Sequence, residues 1–200
     1  MKTIRILLVL AAVGAAAGAA FIYSGVYDIA ADEPHWPMIF RALETLRDRS
    51  ITAHAEEVTT VPNLQDPKLF AEGAEHYAAM CTGCHLAPGM EESEMRAGLY
   101  PKPPNLSEPS GGRPAEQFWI IKHGVKLTAM PAWGRTHDDD AIWGLVAFVQ
   151  QLPGMTPEAY AAASGGDDEG AGHHHHHGDE HPESGTPKEN HGEMDDSHGH

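Results

Sequence analysis

Cysteine is nearly absent: 200 residues hold only two, Cys81 and Cys84. A framework of structural disulfides is therefore excluded, and so is a zinc site built from two cysteine pairs. Basic residues are scarce too. Thirteen Lys and Arg stand against 29 Asp and Glu, a formal net charge of −16, which argues against nucleic acid as a partner. Long apolar runs are missing apart from one near the N-terminus, and no βαβ pattern is visible. Residues 161–200 have no aromatic side chain, almost no aliphatic one, ten acids and one lysine, so they cannot bury a core. About ninety residues are left to fold, and a domain that small has a modest core of its own.

What is present is concentrated in Cys81-Thr82-Gly83-Cys84-His85. The C-x-x-C-H run is the signature of a covalently attached c-type haem. On a helix, cysteines three residues apart project from one face, where both sulfurs can form thioethers along one edge of a porphyrin. His85 follows one step further round, with its imidazole available to the iron. The rival reading, a thioredoxin-like redox pair, belongs beside a βαβ pattern that this chain lacks. A second axial ligand is expected from far along the chain. Met130, in Thr128-Ala129-Met130-Pro131-Ala132-Trp133-Gly134, is the first candidate, and Met95, Met155 and His123 are the others. A neutral thioether favours ferrous iron, and a His/Met pair raises the potential and suits electron transfer.

These motifs carry a family resemblance. The segment from Asp66 to Met155 resembles a class I cytochrome c domain, and within that family the membrane-anchored single-haem cytochromes of proteobacteria. Gly73-Ala74-Glu75-His76-Tyr77 resembles the glycine and aromatic placed before the haem motif. Pro104-Asn105-Leu106 resembles the Gly-Pro-x-Leu element, with Pro103 in place of its glycine. Met130-Pro131 matches the distal-ligand loop, and Ile142 to Leu152 the C-terminal helix. The resemblance implies an all-α class I cytochrome c fold wrapped around one haem c. It implies cofactor contacts from Cys81, Cys84, His85, Met130, Pro104 and Leu106, with the Pro104 carbonyl accepting a hydrogen bond from His85. It also implies that the first and last helices cross closely at Gly73, opposite Trp143, Ala147 and Phe148.

Four segments are expected. Residues 1–27 read as a signal-anchor transmembrane helix, with Lys2 and Arg5 ahead of an uncharged run from Ile6 to Tyr27. The basic residues put the N-terminus in the cytoplasm and the rest outside it. A signal peptide cleaved near Ala17-Gly18-Ala19 is the alternative. Residues 28–65 read as a connector in which Pro34-His35-Trp36-Pro37 starts a helix, with Ile39, Phe40, Leu43 and Leu46 at helical spacing; that stripe is expected to pack on its own domain first, with the bilayer surface or a partner subunit as alternatives. Residues 66–155 are the haem domain: Asp66-Pro67 opens its first helix, Ala115 to Lys122 forms another, and Ala141 to Leu152 the last. Glu91, Glu92 and Glu94 read as solvated surface. Residues 156–200 read as a disordered acidic tail with nine of the fifteen histidines, including His173, His174, His175, His176 and His177. A histidine tract among carboxylates suggests loose binding of copper, nickel or zinc.

The function expected is that of a single-electron carrier between membrane respiratory complexes, tethered by residues 6–27 to a bacterial inner membrane with its haem domain in the periplasm. No substrate is transformed. The alternatives are a haem-bearing subunit of a dehydrogenase or terminal oxidase, and a gas sensor in which Met130 yields to the ligand.

Overall fold

The computed structural model describes residues 1–109 and 111–165. The chain divides into two units, Met1–Asp167 and Asp168–His200, and every described residue belongs to the first. The histidine tract 173–177 lies outside the described residues. Among the described residues all regular structure is helical: α1 (Lys2–Ser24), α2 (Pro37–Ala55), α3 (Pro67–Met80), α4 (Thr82–His85), α5 (Glu94–Ala97), α6 (Pro114–His123), α7 (Asp139–Gln151) and α8 (Pro157–Ala163), with a 3-10 turn at Trp133–Arg135.

Local chemistry sets most of these boundaries. Asp66 caps α3, its carboxylate accepting from Lys68 N at 2.9 Å, and Pro67 occupies the first turn where its missing N–H costs nothing. Asp138 caps α7 in the same way through Ala141 N at 2.9 Å, and Asp139 and Asp140 complement the positive end of its dipole. Gly124 ends α6 with φ +66°. α1 ends at Gly25, also left-handed at φ +64°. Its 23 residues are long and apolar enough to cross a membrane, and none of them is buried.

The frame of the haem domain is the crossing of α3 on α7. At Gly73 the backbones touch: a Cβ built there would meet the Gly144 carbonyl oxygen at 1.9 Å. A Cβ on Gly144 would in turn stand 3.1 Å from the Leu69 oxygen. The residue opposite Gly73 is thus Gly144, and the expected contacts at Trp143, Ala147 and Phe148 flank it. Two small cores form on either side. One joins Ala74, Tyr77, Leu145, Phe148, Val149 and Leu152, and the other joins Phe118, Ile142, Trp143 and Val146. Phe118 stacks on Trp143 with centroids 4.2 Å apart, which binds α6 to α7.

Two differences from the sequence reading concern the edges of the domain. Packed structure does not stop at Met155. Thr156 caps α8, and Tyr160 and Ala163 pack against the first core. Tyr160 Oη also bonds Thr82 Oγ1 at 2.9 Å. One heptad of alanine-rich sequence carries too weak a periodicity to announce such a helix. The second difference is in α2, whose apolar stripe is only half-buried at Ile39, Phe40 and Leu43 and exposed at Leu46, while its ends make the specific contacts with the domain. Ala55 is buried, His54 stacks on Trp119 at 5.4 Å and Thr52 donates to Glu116 at 3.2 Å. At the other end His35 N donates to Tyr100 Oη at 3.1 Å.

Candidate haem site

Cys81 closes α3, and Cys84 and His85 lie on the single turn of α4, so a short helical corner delivers all three side chains. The corner is held from behind. Leu86 takes φ +63°, a backbone conformation that costs a residue with a side chain about 1–3 kcal/mol. Buried Tyr77 compensates by donating its hydroxyl to the Leu86 carbonyl at 2.7 Å. Thr82 Oγ1 donates to the Tyr77 carbonyl at 3.2 Å.

His85 Nδ1 lies 3.0 Å from the Pro104 carbonyl oxygen. A carbonyl only accepts, so Nδ1 carries the proton and the neutral ring presents its lone pair on Nε2. Burial, and secondarily the charge of Arg96, push the imidazole below its ordinary value, while the bond to Pro104 acts the other way. The ring is thereby kept in the form that a metal binds. Leu106 closes the same loop: its N–H donates to the His85 carbonyl at 3.1 Å, and its side chain packs on the first core.

Burial, reinforced by neighbouring Cys84, pushes the Cys81 thiol up to about 12.

Met130 is half-buried in a tight loop. Its N–H donates to Thr128 Oγ1 at 3.1 Å, and its carbonyl accepts from Val125 N at 3.2 Å. Gly124 makes the loop possible, because a Cβ there would sit 2.7 Å from the Met130 oxygen. The other three candidates have different surroundings. Met95 Sδ is 3.3 Å from Cys84 Sγ, beside the motif. Met155 packs against the first core, and exposed His123 leans on Trp119 with centroids 5.0 Å apart.

Three features escaped the sequence reading. Glu92 is more than solvated surface: it bonds Arg96 at 3.0 Å and also pairs with Lys102, and Arg96 Nε donates to the Pro103 carbonyl at 3.1 Å. The Glu92–Arg96 spacing of four was the available signal. Ser107 Oγ is buried with no hydrogen-bond partner, one residue beyond Leu106. Such a group is costly unless something else reaches it, and nothing local in the sequence marks it. Thirdly, a cleft of about 830 Å³ opens beneath α2, lined by Phe40, Leu43 and Ile51 of that helix and by Tyr100, Trp119 and Val125 opposite. Among the described residues no cluster of three or more His, Cys, Asp or Glu is arranged to hold a further metal ion.

Comparison with known proteins fits this geometry. A family model described as cytochrome c oxidase, cbb3-type, subunit III, matches residues 68–149. Among curated proteins none matches. A solved chain of the Kuenenia stuttgartiensis reducing HAO-like protein complex Kustc0457/Kustc0458 is similar at 20% identity and a TM-score of 0.43, covering 48% of each chain. The present chain therefore spans about half the length of that one. A lone C-x-x-C-H corner, a histidine held by a proline carbonyl and the match over α3 to α7 lead to one conclusion: residues 68–149 are a cytochrome c domain, similar to the cbb3-type subunit III family, with the motif for one c-type haem.

Proposed function

We propose that this cytochrome is tethered to a membrane by α1 and passes single electrons between components of a respiratory chain. The observation that carries the reading is the 3.0 Å contact of His85 Nδ1 with the Pro104 carbonyl, directly after the C-x-x-C pair and inside the matched segment. Cys81 and Cys84 would hold haem c through two thioethers, with His85 Nε2 and the Met130 sulfur as axial ligands. When bound, the haem supplies a reversible one-electron change at its iron. The chain's own residues do the rest. Pro104 fixes the tautomer and plane of His85, which is the orienting role of a group behind a metal ligand. The Thr128 and Gly124 contacts hold the Met130 loop in one shape, so the ligand need not rearrange when the charge changes. Leu106, Tyr77 and Phe148 keep water from the motif's inner side, and Ser107 Oγ offers an unused hydrogen bond to a haem carboxylate.

A second reading, a haem subunit of a terminal oxidase, is favoured by the matching family, a subunit of cbb3-type cytochrome c oxidase. Co-purification of the detergent-solubilised protein with a catalytic chain separates the two. The parent reading is tested by acid-acetone extraction of the Cys81→Ala/Cys84→Ala protein, which should hold no haem; covalent haem in that double variant sinks it. Met130→Leu should lose the weak sulfur-to-iron band of the ferric form and lower the potential. Retention of that band would move the role to Met95 or Met155.

A further inference from the structure

We propose that α2, which lies outside the matched cytochrome c segment, forms a wall of the haem crevice: the edge of the ring lies in the cleft beneath it. The inference rests on the haem assignment above. A bridge of this kind is visible in how α2 is attached. Its ends are pinned, by His35 and Phe40 against Tyr100 at one end and by Thr52, His54 and Ala55 against α6 at the other. Between them Leu43, Arg47, Ser50 and Ile51, all half-buried, line the cleft at helical spacing.

The volume is far larger than the roughly 150 Å³ of an engineered apolar hole that stays empty, and lies within the range of about 300–1,000 Å³ typical of ligand pockets. At about 830 Å³ and with a largely apolar surface, it has room for a large apolar body.

Its other walls say which body. Tyr100 and Pro101 belong to the loop that runs on to Pro104, the partner of His85. Val125 and Thr128 belong to the loop that carries Met130, Val125 N bonding the Met130 carbonyl and Thr128 Oγ1 accepting from Met130 N. Cys81, Cys84, His85 and Met130 do not themselves line the cleft. The cleft therefore opens between the segment behind the proximal ligand and the segment behind the distal one. An edge of a ring gripped between His85 and Met130 emerges there, and α2 shields it from water. Leu43 and Ile51 act as positioning residues for the shield, not as ligands.

The test uses the full-length, haem-loaded protein in detergent. Leu43→Ala with Ile51→Ala thins the shield. The spectrum of the covalent haem should persist, the potential should fall because water now stabilises the oxidised, more positive iron, and reduction by ascorbate should become several-fold faster. Leu43→Met with Ile51→Val should restore both values, and Arg49→Ala, on the same helix away from the cleft, should leave them at wild type. Should the alanine pair not fold, Leu43→Trp asks the same question, since an indole pushed against the ring edge shifts the potential. A potential and reduction rate at wild-type values in a variant that keeps its haem spectrum overturn the proposal while leaving the haem assignment intact. A second, non-covalent apolar molecule that co-purifies, and is lost in Leu43→Trp with the potential unmoved, overturns it as well. A wild-type chain without covalent haem would sink the parent reading, and this one with it.

Discussion

Pro103 stands where the resembled pattern has glycine, and the consequences are confined to one loop. A proline there has no N–H to give and a fixed φ, and the Pro103-Pro104 pair favours an extended path. The one group Pro103 can offer is its carbonyl, and Arg96 takes it at 3.1 Å. Arg96 is itself held by Glu92, which also binds Lys102, so the stretch before Pro104 is braced at two points, Lys102 and Pro103. The bonds from Lys102 and then Arg96 hold the Glu92 carboxyl down to about 2, against an ordinary 4.5. A depressed acid stabilises the folded loop above its unfolded value, and that contribution fades as pH falls from about 4.5 towards 2. Protection of the Leu106 amide against hydrogen exchange, relative to the free chain, should therefore drop through that window in the wild type. In Glu92→Gln it should already be several-fold lower at neutral pH and show no step there. A step of unchanged size in the variant would take the brace away from Glu92.

At the scale of elements, the contact of α3 with α7 is the least forgiving. Gly73→Ala would drive a methyl into the Gly144 carbonyl, a backbone atom that cannot rotate aside. Overpacking of this kind costs about 1–3 kcal/mol, and the 1.9 Å approach puts this case at the upper end or beyond. Urea unfolding of the haem-loaded protein should show a loss of about 3 kcal/mol or more, while Gly83→Ala, whose Cβ would meet only Met95 Sδ at 3.8 Å, should stay within about 1 kcal/mol. Equal midpoints for the two variants would mean that the helices part easily. The close crossing at Gly73 was implied by the family resemblance, and the opening of α3 at Asp66-Pro67 was readable in advance as a local signal in one short stretch. The C-x-x-C-H corner was readable for the same reason. Gly144 was not, since its partner is 71 positions away. The Arg96 bond to Pro103, the packing of Tyr160 on Thr82 and the space beneath α2 belong to the same class: each depends on which segments meet in space, and no periodicity in the sequence records that.

For the whole molecule, the feature that matters is how α1 joins the haem domain. Ring contacts run from the end of α1: Phe21 meets Tyr27 at a centroid distance of 6.3 Å, Tyr27 meets both Trp36 at 5.3 Å and His35 at 6.1 Å, and His35 passes the contact on to Tyr100 at 5.3 Å. Aromatic side chains at such a root suit the boundary between hydrocarbon and water. The protein should stay with membranes through high-salt and carbonate washing, because a full span inserts in effect irreversibly. An N-terminus near Ala20, with the protein in the soluble fraction, would mark α1 as a cleaved leader instead. With the anchor retained, residues 25–36 are all that separates α1 from α2, and several of them are already committed to the ring contacts. There is almost no slack. Such a head meets its partners by turning and drifting in a plane, not by searching a volume, and the height above the lipid at which a partner must offer its own redox centre is settled before the two ever meet.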